Sequence, residues 1–298
     1  MTTESPKSSA LPYFAMFCVP ILYGSFYILA KITNETIPVF WMTSFRMLFA
    51  MIGFLPFIKK LRKTDLHSIK YGFFLALIFF GGVVSQTEGL KSIEAGKAGF
   101  ISGLFVVITP LLSWVLFRTK ISRFLIIPIV IVVIGLFIMF YDPTIRFFNV
   151  GIGEFLNFIG ALCIALHIIV LGKGLKEGDF FCLAFYQTFF AFCFSFILAL
   201  IFEPSYQIST TTLSEWSLLI YLGLAIGTIP FLLQNWGQQY IKDSRAAIII
   251  SIEPVFATIF GGIFGGELIT WQIVLGGLLI LTGLIITVVT QQKETSNI

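Results

Sequence analysis

Charge is what this sequence has least of. Only 11% of its 298 residues are Asp, Glu, Lys or Arg, where soluble domains carry about 25%. That scarcity excludes an ordinary water-soluble fold. The formal net charge of +4 is small, and the basic residues sit in short clusters between apolar runs, so there is no extended cationic face for nucleic acid. Histidine is nearly absent: His67 and His167 stand far apart, and no cysteine lies at ligand spacing from either, which excludes a metal cluster. The four cysteines, Cys18, Cys163, Cys182 and Cys193, lie inside apolar runs without a Cys-x-x-Cys pair and read as small packing residues. No glycine-rich loop stands in a strand–loop–helix context, so no nucleotide or other cofactor is expected. No nucleophile–base or His/Asp constellation appears, so the chain does not read as an enzyme.

What fills the space is hydrophobic. Such residues make up 57% of the chain, 35 of them Phe, and the mean hydropathy is +0.97. Crossing a bilayer takes ~20 mostly apolar residues. Ten such runs occur, at 12–31, 38–58, 71–90, 95–117, 124–141, 152–172, 180–202, 215–236, 244–266 and 271–290. The first is too long for a signal-peptide core and lacks a small-x-small cleavage site, so it is taken as a spanning helix. With residues 1–11 and 291–298 as cytoplasmic tails, fourteen Lys and Arg fall on the inner side, four fall on the outer side, and Arg46 lies within a span. The positive-inside bias selects that orientation. Together these features predict an all-α integral membrane protein of the cell (inner, cytoplasmic) membrane.

The two halves repeat. At a shift of 148 residues, aligned without a gap, Gln86 meets Gln234, Gly89 meets Gly237, Ile93 meets Ile241 and Lys97 meets Arg245; Gly135-Leu136 meets Gly283-Leu284. One constant offset near half the length points to a duplicated five-helix unit, over 12–141 and 152–290. Five is odd, so the second unit enters the membrane inverted. Lys97 outside and Arg245 inside agree with that. Inverted repeats suit secondary transporters, whose halves rock about a midplane site.

The sequence resembles the drug/metabolite transporter superfamily, in its EamA-type ten-helix members. The resemblance is carried by Leu22-Tyr23-Gly24-Ser25-Phe26 with Lys31, by Pro38 with Arg46, by "AGKAGFISGLFVVITPLLSWVLFRTKIS" from Ala95, and by "SRAAIIISIEPVFATIFGGIFGGELI" from Ser244. It covers nearly the whole chain in two copies. Two departures stand out: Tyr23 where members often have Trp, and Arg118-Thr119 where the second copy has Gly266-Glu267. The resemblance implies transport, often export, of small metabolites, amino acids or drugs, with no particular substrate.

Glu253 is the residue that asks for an explanation. A carboxylate at mid-bilayer costs several kcal/mol, ~2.5–3.5 on insertion scales for Asp, and usually faces a bundle interior or wet cavity. The one basic residue deep in a span is Arg46. At ~1.5 Å per residue it lies ~12 Å in from Pro38, and Glu253 lies ~13 Å in from Ser244 on the other side. Across a ~30 Å core their levels differ by ~5 Å. Three roles for Glu253 stay open: a structural ion pair with Arg46, a carboxylate that exchanges a proton as substrate arrives, or a ligand for an amino group. Gln86, Gln234, Tyr27, Trp41 and Tyr186 are the other candidate cavity or coupling residues. His167 alone on the sixth span reads as packing. Pro254 and Pro110 are expected kinks. Gly261 with Gly265, Gly262 with Gly266, and Gly223 with Gly227 are at the spacing that lets helices approach closely. One deep cation and one carboxyl suit a zwitterion such as an amino acid, or an amphiphilic metabolite, better than a phosphorylated solute. An exporter with protons as possible partner, an uptake permease, and a lipid-handling flippase or scramblase are the functions left open.

Overall fold

The computed structural model describes residues 10–92, 101–118, 125–139, 151–266 and 270–296, and every regular element among them is helical. Helices α1 (Leu11–Asn34), α2 (Val39–Phe54), α3 (Leu66–Gly89), α4 (Phe105–Phe117) and α5 (Ile126–Met139) fill the first half. In the second half are α6 (Ile152–Gly174), α7 (Phe180–Phe202), α8 (Leu213–Gly223), α9 (Ile229–Gln238), α10 (Asp243–Ile250), α11 (Glu253–Gly265) and α12 (Trp271–Ser296). The eighth expected span is α8 and α9 joined through a π-turn at Leu224–Thr228; the ninth is α10 and α11. Among the described residues seven stretches are long and apolar enough to cross a membrane, and shorter apolar helices at 101–116, 126–138 and 271–283 stand at the fourth, fifth and tenth expected spans. The chain is a multi-pass all-α membrane protein. The start of the fourth span, including Lys97, and most of the N-terminal tail lie outside the described residues.

Local chemistry sets the helix starts. The Asp65 carboxylate accepts from the Ser68 N–H at 3.0 Å and begins α3. The Asp179 carboxylate accepts from Phe181 and Cys182 at 2.9 and 3.1 Å and begins α7. At α8 the Thr212 hydroxyl accepts from the Glu215 N–H, and Glu215 accepts from the Thr212 N–H. Each bond satisfies a backbone donor that the helix leaves open. Pro56 loosens the end of the second span into a 3-10 segment, Leu55–Lys63, that carries its basic cluster. The outward faces are apolar: Trp114, Ile127, Ile197 and Leu278 are each more than half exposed, a surface suited to lipid.

The helix pairings come in matched sets. The third span packs on the sixth and seventh, and the eighth on the first and second; the first packs on the ninth, and the sixth on the fourth; the second packs on the seventh, and the fifth on the tenth. Exchanging each span with the one five places on leaves this set unchanged. Individual contacts match too. A Cβ on Gly135 would sit 2.8 Å from the Gly276 carbonyl and 3.0 Å from Ile280; one on Gly283 would sit 3.0 Å from the Pro128 carbonyl and meet Val132. Those partners, like the glycines, are 148 residues apart. A single shift of 148 without a gap does not hold for the first two spans. α1 and α6 begin at Leu11 and Ile152, and α2 and α7 at Val39 and Phe180, both 141 residues apart. The difference is absorbed after the span: with its 3-10 segment the second span runs to Lys63 and α3 starts at Leu66, whereas α7 ends at Phe202 and α8 starts only at Leu213.

Candidate functional site

The span-nine sequence does not make one helix. Pro254 has no N–H to offer the Ile250 carbonyl. The chain turns at Ser251 and Ile252, and the Val255 N–H reaches Ile252 O at 3.0 Å in a 3-10 bond. α11 then starts afresh with Glu253 as its first residue and Pro254 as its second. Pro is well tolerated there, and the open N–H groups of a helix start favour a carboxylate. The first half has the same break without the proline: Leu104 takes the place of Ile252, with the Val107 N–H on Leu104 O at 3.0 Å. The expected interruption in span four therefore falls at Leu104, and α4 runs on through Pro110. Phe105 stands where the second half has Glu253, so the carboxyl has no twin.

Beside this break, α1, α2, α3, α6 and α9 surround a cavity. Glu253, Arg46, Gln86, Gln234 and Tyr27 all line it, as do Tyr23, Phe26, Phe79, Cys163 and His167. Gln86 donates from Nε2 to Ser102 Oγ at 3.1 Å, which links α3 to the fourth span. The Tyr27 hydroxyl interacts with the Glu253 carboxyl. Arg46 is 2% exposed. The Phe26 ring covers its guanidinium at 4.3 Å and Phe79 lies at 5.8 Å. Its Nε and Nη1 find no hydrogen-bond partner among the described residues. The guanidinium cannot shed its proton, and burying an ion without an acceptor costs several kcal/mol. Two cation–π contacts at ~1–2 kcal/mol each offset only part of that.

Several sequence expectations change here. Arg46 and Glu253 share the cavity but form no ion pair within 4.0 Å; α1 carries Phe26 and Tyr27 to them, one to each. Trp41 and Tyr186 are not in the wall. Trp41, near the start of α2, donates from Nε1 to Glu203 O at 3.0 Å; Tyr186, early in α7, is 3.3 Å from Thr64 Oγ1. Among the glycines of α11, Gly261 is buried, but Gly265 and Gly266 are exposed. Gly266 ends the helix at φ 68°, and a Cβ there would meet nothing within 4 Å, so it is a cap and no packing residue. Gly223 does make the close approach expected of it, with a Cβ 2.7 Å from the Arg46 carbonyl, and Gly24, not singled out in the sequence, makes another, with a Cβ 2.5 Å from that of Phe256.

His167, read as packing, is in the cavity wall with Nε2 unpartnered. The signal that finds it is the 141 offset. Tyr23, Phe26 and Tyr27 on α1 map to Ile164, His167 and Ile168 on α6, and all six line the cavity. The same offset maps Arg46 to Gln187, which is fully buried with both side-chain polar atoms unpartnered.

The EamA-like transporter family model matches residues 10–141 and again 151–289, nearly the whole chain in two copies. The chain belongs to the EamA-like transporter family. It is a membrane transporter of a small solute and no enzyme. Among the described residues no group of three or more His, Cys, Asp and Glu could hold a metal ion. An "Uncharacterized transporter" of Archaeoglobus fulgidus is 29% identical over 268 residues, 90% of this chain and 82% of its own. A "Probable terminal-alkyne amino-acid exporter" of Streptantibioticus cattleyicolor is 33% identical over 51 residues, 17% of each chain. A crystal structure covering 93% of this EamA chain and 96% of its own superposes with a TM-score of 0.74 at 16% identity, a likeness of fold.

Proposed function

We propose that this EamA protein is a secondary active transporter of the cytoplasmic membrane that exports a small amphiphilic metabolite, such as an amino acid, by alternating access. Two inverted five-helix units, 12–141 and 152–290, enclose the solute site, and both tails are cytoplasmic. The observation that carries this reading is the cavity with Arg46 and Glu253 on its wall, unpaired with each other. A solute bearing opposite charges satisfies both; a structural ion pair would have closed the gap. The matched helix pairings and the twin breaks at Leu104 and Ile252 support two units that rock against each other, since each unit carries the same discontinuous helix at the cavity. The amino-acid exporter relative adds modest support for the solute class. Glu253 is the proton-exchanging group or the ligand for the solute's amino end, with Tyr27 as its neighbour in the wall.

The test is growth of a sensitive bacterial host expressing the protein or Glu253→Gln against toxic amino acids, their analogues and cationic drugs. Protection by the parent and none by the variant is the expected result. Equal protection removes Glu253 from the mechanism. Protection against nothing, with uptake or lipid flipping in proteoliposomes, overturns export.

A further inference from the structure

We propose that Arg46 is the seat of a carboxylate on the transported solute, and that the cavity accepts a solute with a single carboxylate on an apolar body. The proposal rests on the transport reading above and assigns an end of the solute to a wall of the cavity. The guanidinium lines the cavity, is 2% exposed and lacks acceptors at Nε and Nη1. Phe26 covers its face at 4.3 Å, which leaves the N–H edges as the places for a ligand. Glu253 does not supply the missing acceptor: no ion pair within 4.0 Å joins it to Arg46. No other ion pair reaches Arg46 among the described residues.

The second half sharpens the ligand class. At the 141 offset Arg46 and Phe26 map to Gln187 and His167, and these too have unpartnered polar atoms. Equivalent places in the two units are thus both unsatisfied, but only one carries a fixed charge. The cavity wall carries one guanidinium, and its other polar side chains include Glu253, Gln86, Gln234 and His167. A single guanidinium balances one negative charge; a phosphate ester carrying nearly two would leave charge uncompensated in a wall of Phe, Tyr and Ile. A planar carboxylate fits a guanidinium edge, and the remaining lining, Ile164 and Ile168 with Phe79, takes an aromatic or branched body.

Three probes share one body and differ at one end: 3-phenylpropionate, 3-phenylpropionamide and 3-phenylpropylamine. Their binding to the full chain in lipid nanodiscs is measured calorimetrically for the parent, Arg46→Met and Arg46→Lys. The expected result is carboxylate binding at least tenfold tighter than amide or amine. Arg46→Met removes that preference and leaves amide affinity within twofold, while Arg46→Lys keeps part of it. If Arg46→Met does not fold, Phe26→Leu takes its place, and carboxylate affinity falls severalfold. Carboxylate affinity unchanged in Arg46→Met, or in Phe26→Leu where that variant stands in, overturns the proposal. So does tightest binding of the amine. Absence of binding by all three probes overturns it as well, and the transport reading survives that outcome if growth protection still depends on Glu253.

Discussion

Asp243 shows how a side chain outside the spans can set the protein's response to pH. It begins α10, close enough to α6 that its Oδ1 occupies the space a Cβ on Gly172 would need. Gln238 donates to it from Nε2 at 3.2 Å and also to Ile168 O. Burial pushes its carboxyl up to about 6, against the pull of the Gln238 bond and of Lys176 and Lys173. A carboxyl raised in the folded state contributes stability at low pH and loses it as pH rises through 6. Asp243→Asn keeps the bond from Gln238 and removes the charge. It is expected to raise the apparent melting temperature at pH 8 by the equivalent of about 2 kcal/mol and to do little at pH 4. A gap between variant and parent that does not widen with pH contradicts this. Arg118 offers a second test. It ends α4 at φ 51°, the one non-glycine residue with positive φ among those described, at the place where Gly266 ends α11. Arg118→Gly should stabilise by about 1 kcal/mol, read as a higher apparent melting temperature.

The broken helices and glycine contacts carry the architecture. Pro254 made the break in span nine legible in the sequence, because a missing N–H has a definite local consequence. The break at Leu104 had no such mark, and packing against α6 and α10 holds it. The close contacts of α5 and α12 run through Gly135 and Gly283. Gly135→Val puts a branched side chain against the Gly276 carbonyl, where even a Cβ would stand at 2.8 Å. A loss of about 1–3 kcal/mol is expected from such overpacking, visible as earlier aggregation on heating in detergent. Gly266→Ala tests the glycine reading of the sequence from the other side. Nothing crowds that position, so any loss comes from its φ of 68° alone, and it should stay near ~1 kcal/mol.

Side chains from both halves of the chain line the cavity, and the proposed cycle requires that its wall face one side of the membrane at a time. Cys163 is partly exposed and lines the cavity, so it is a natural reporter. In a chain with Cys18, Cys182 and Cys193 replaced by Ala, a small membrane-impermeant thiol reagent should label Cys163 from one face in the resting protein. A solute that binds should slow labelling at least fivefold. Equal labelling from both faces at once would mean an open pore and defeat alternating access.

Composition and periodicity determined by themselves that the chain is a ten-run membrane protein, and that Glu253, Arg46, Gln86 and Gln234 are worth following. These are consequences of transfer energy: a polar group in a span is costly wherever the span packs, so its presence alone marks it. Tertiary structure decided what those residues face. Whether Arg46 meets Glu253 depends on α1 standing between them with Phe26 and Tyr27. Whether Trp41 is a wall or an end-cap depends on where Glu203 ties α7 to α2. His167 and Gln187 became meaningful only once the first two spans of the halves were set 141 residues apart rather than 148, because the link between α7 and α8 is longer than the one before α3. Periodicity records which face of a helix is polar, and only packing selects the helix that face will meet.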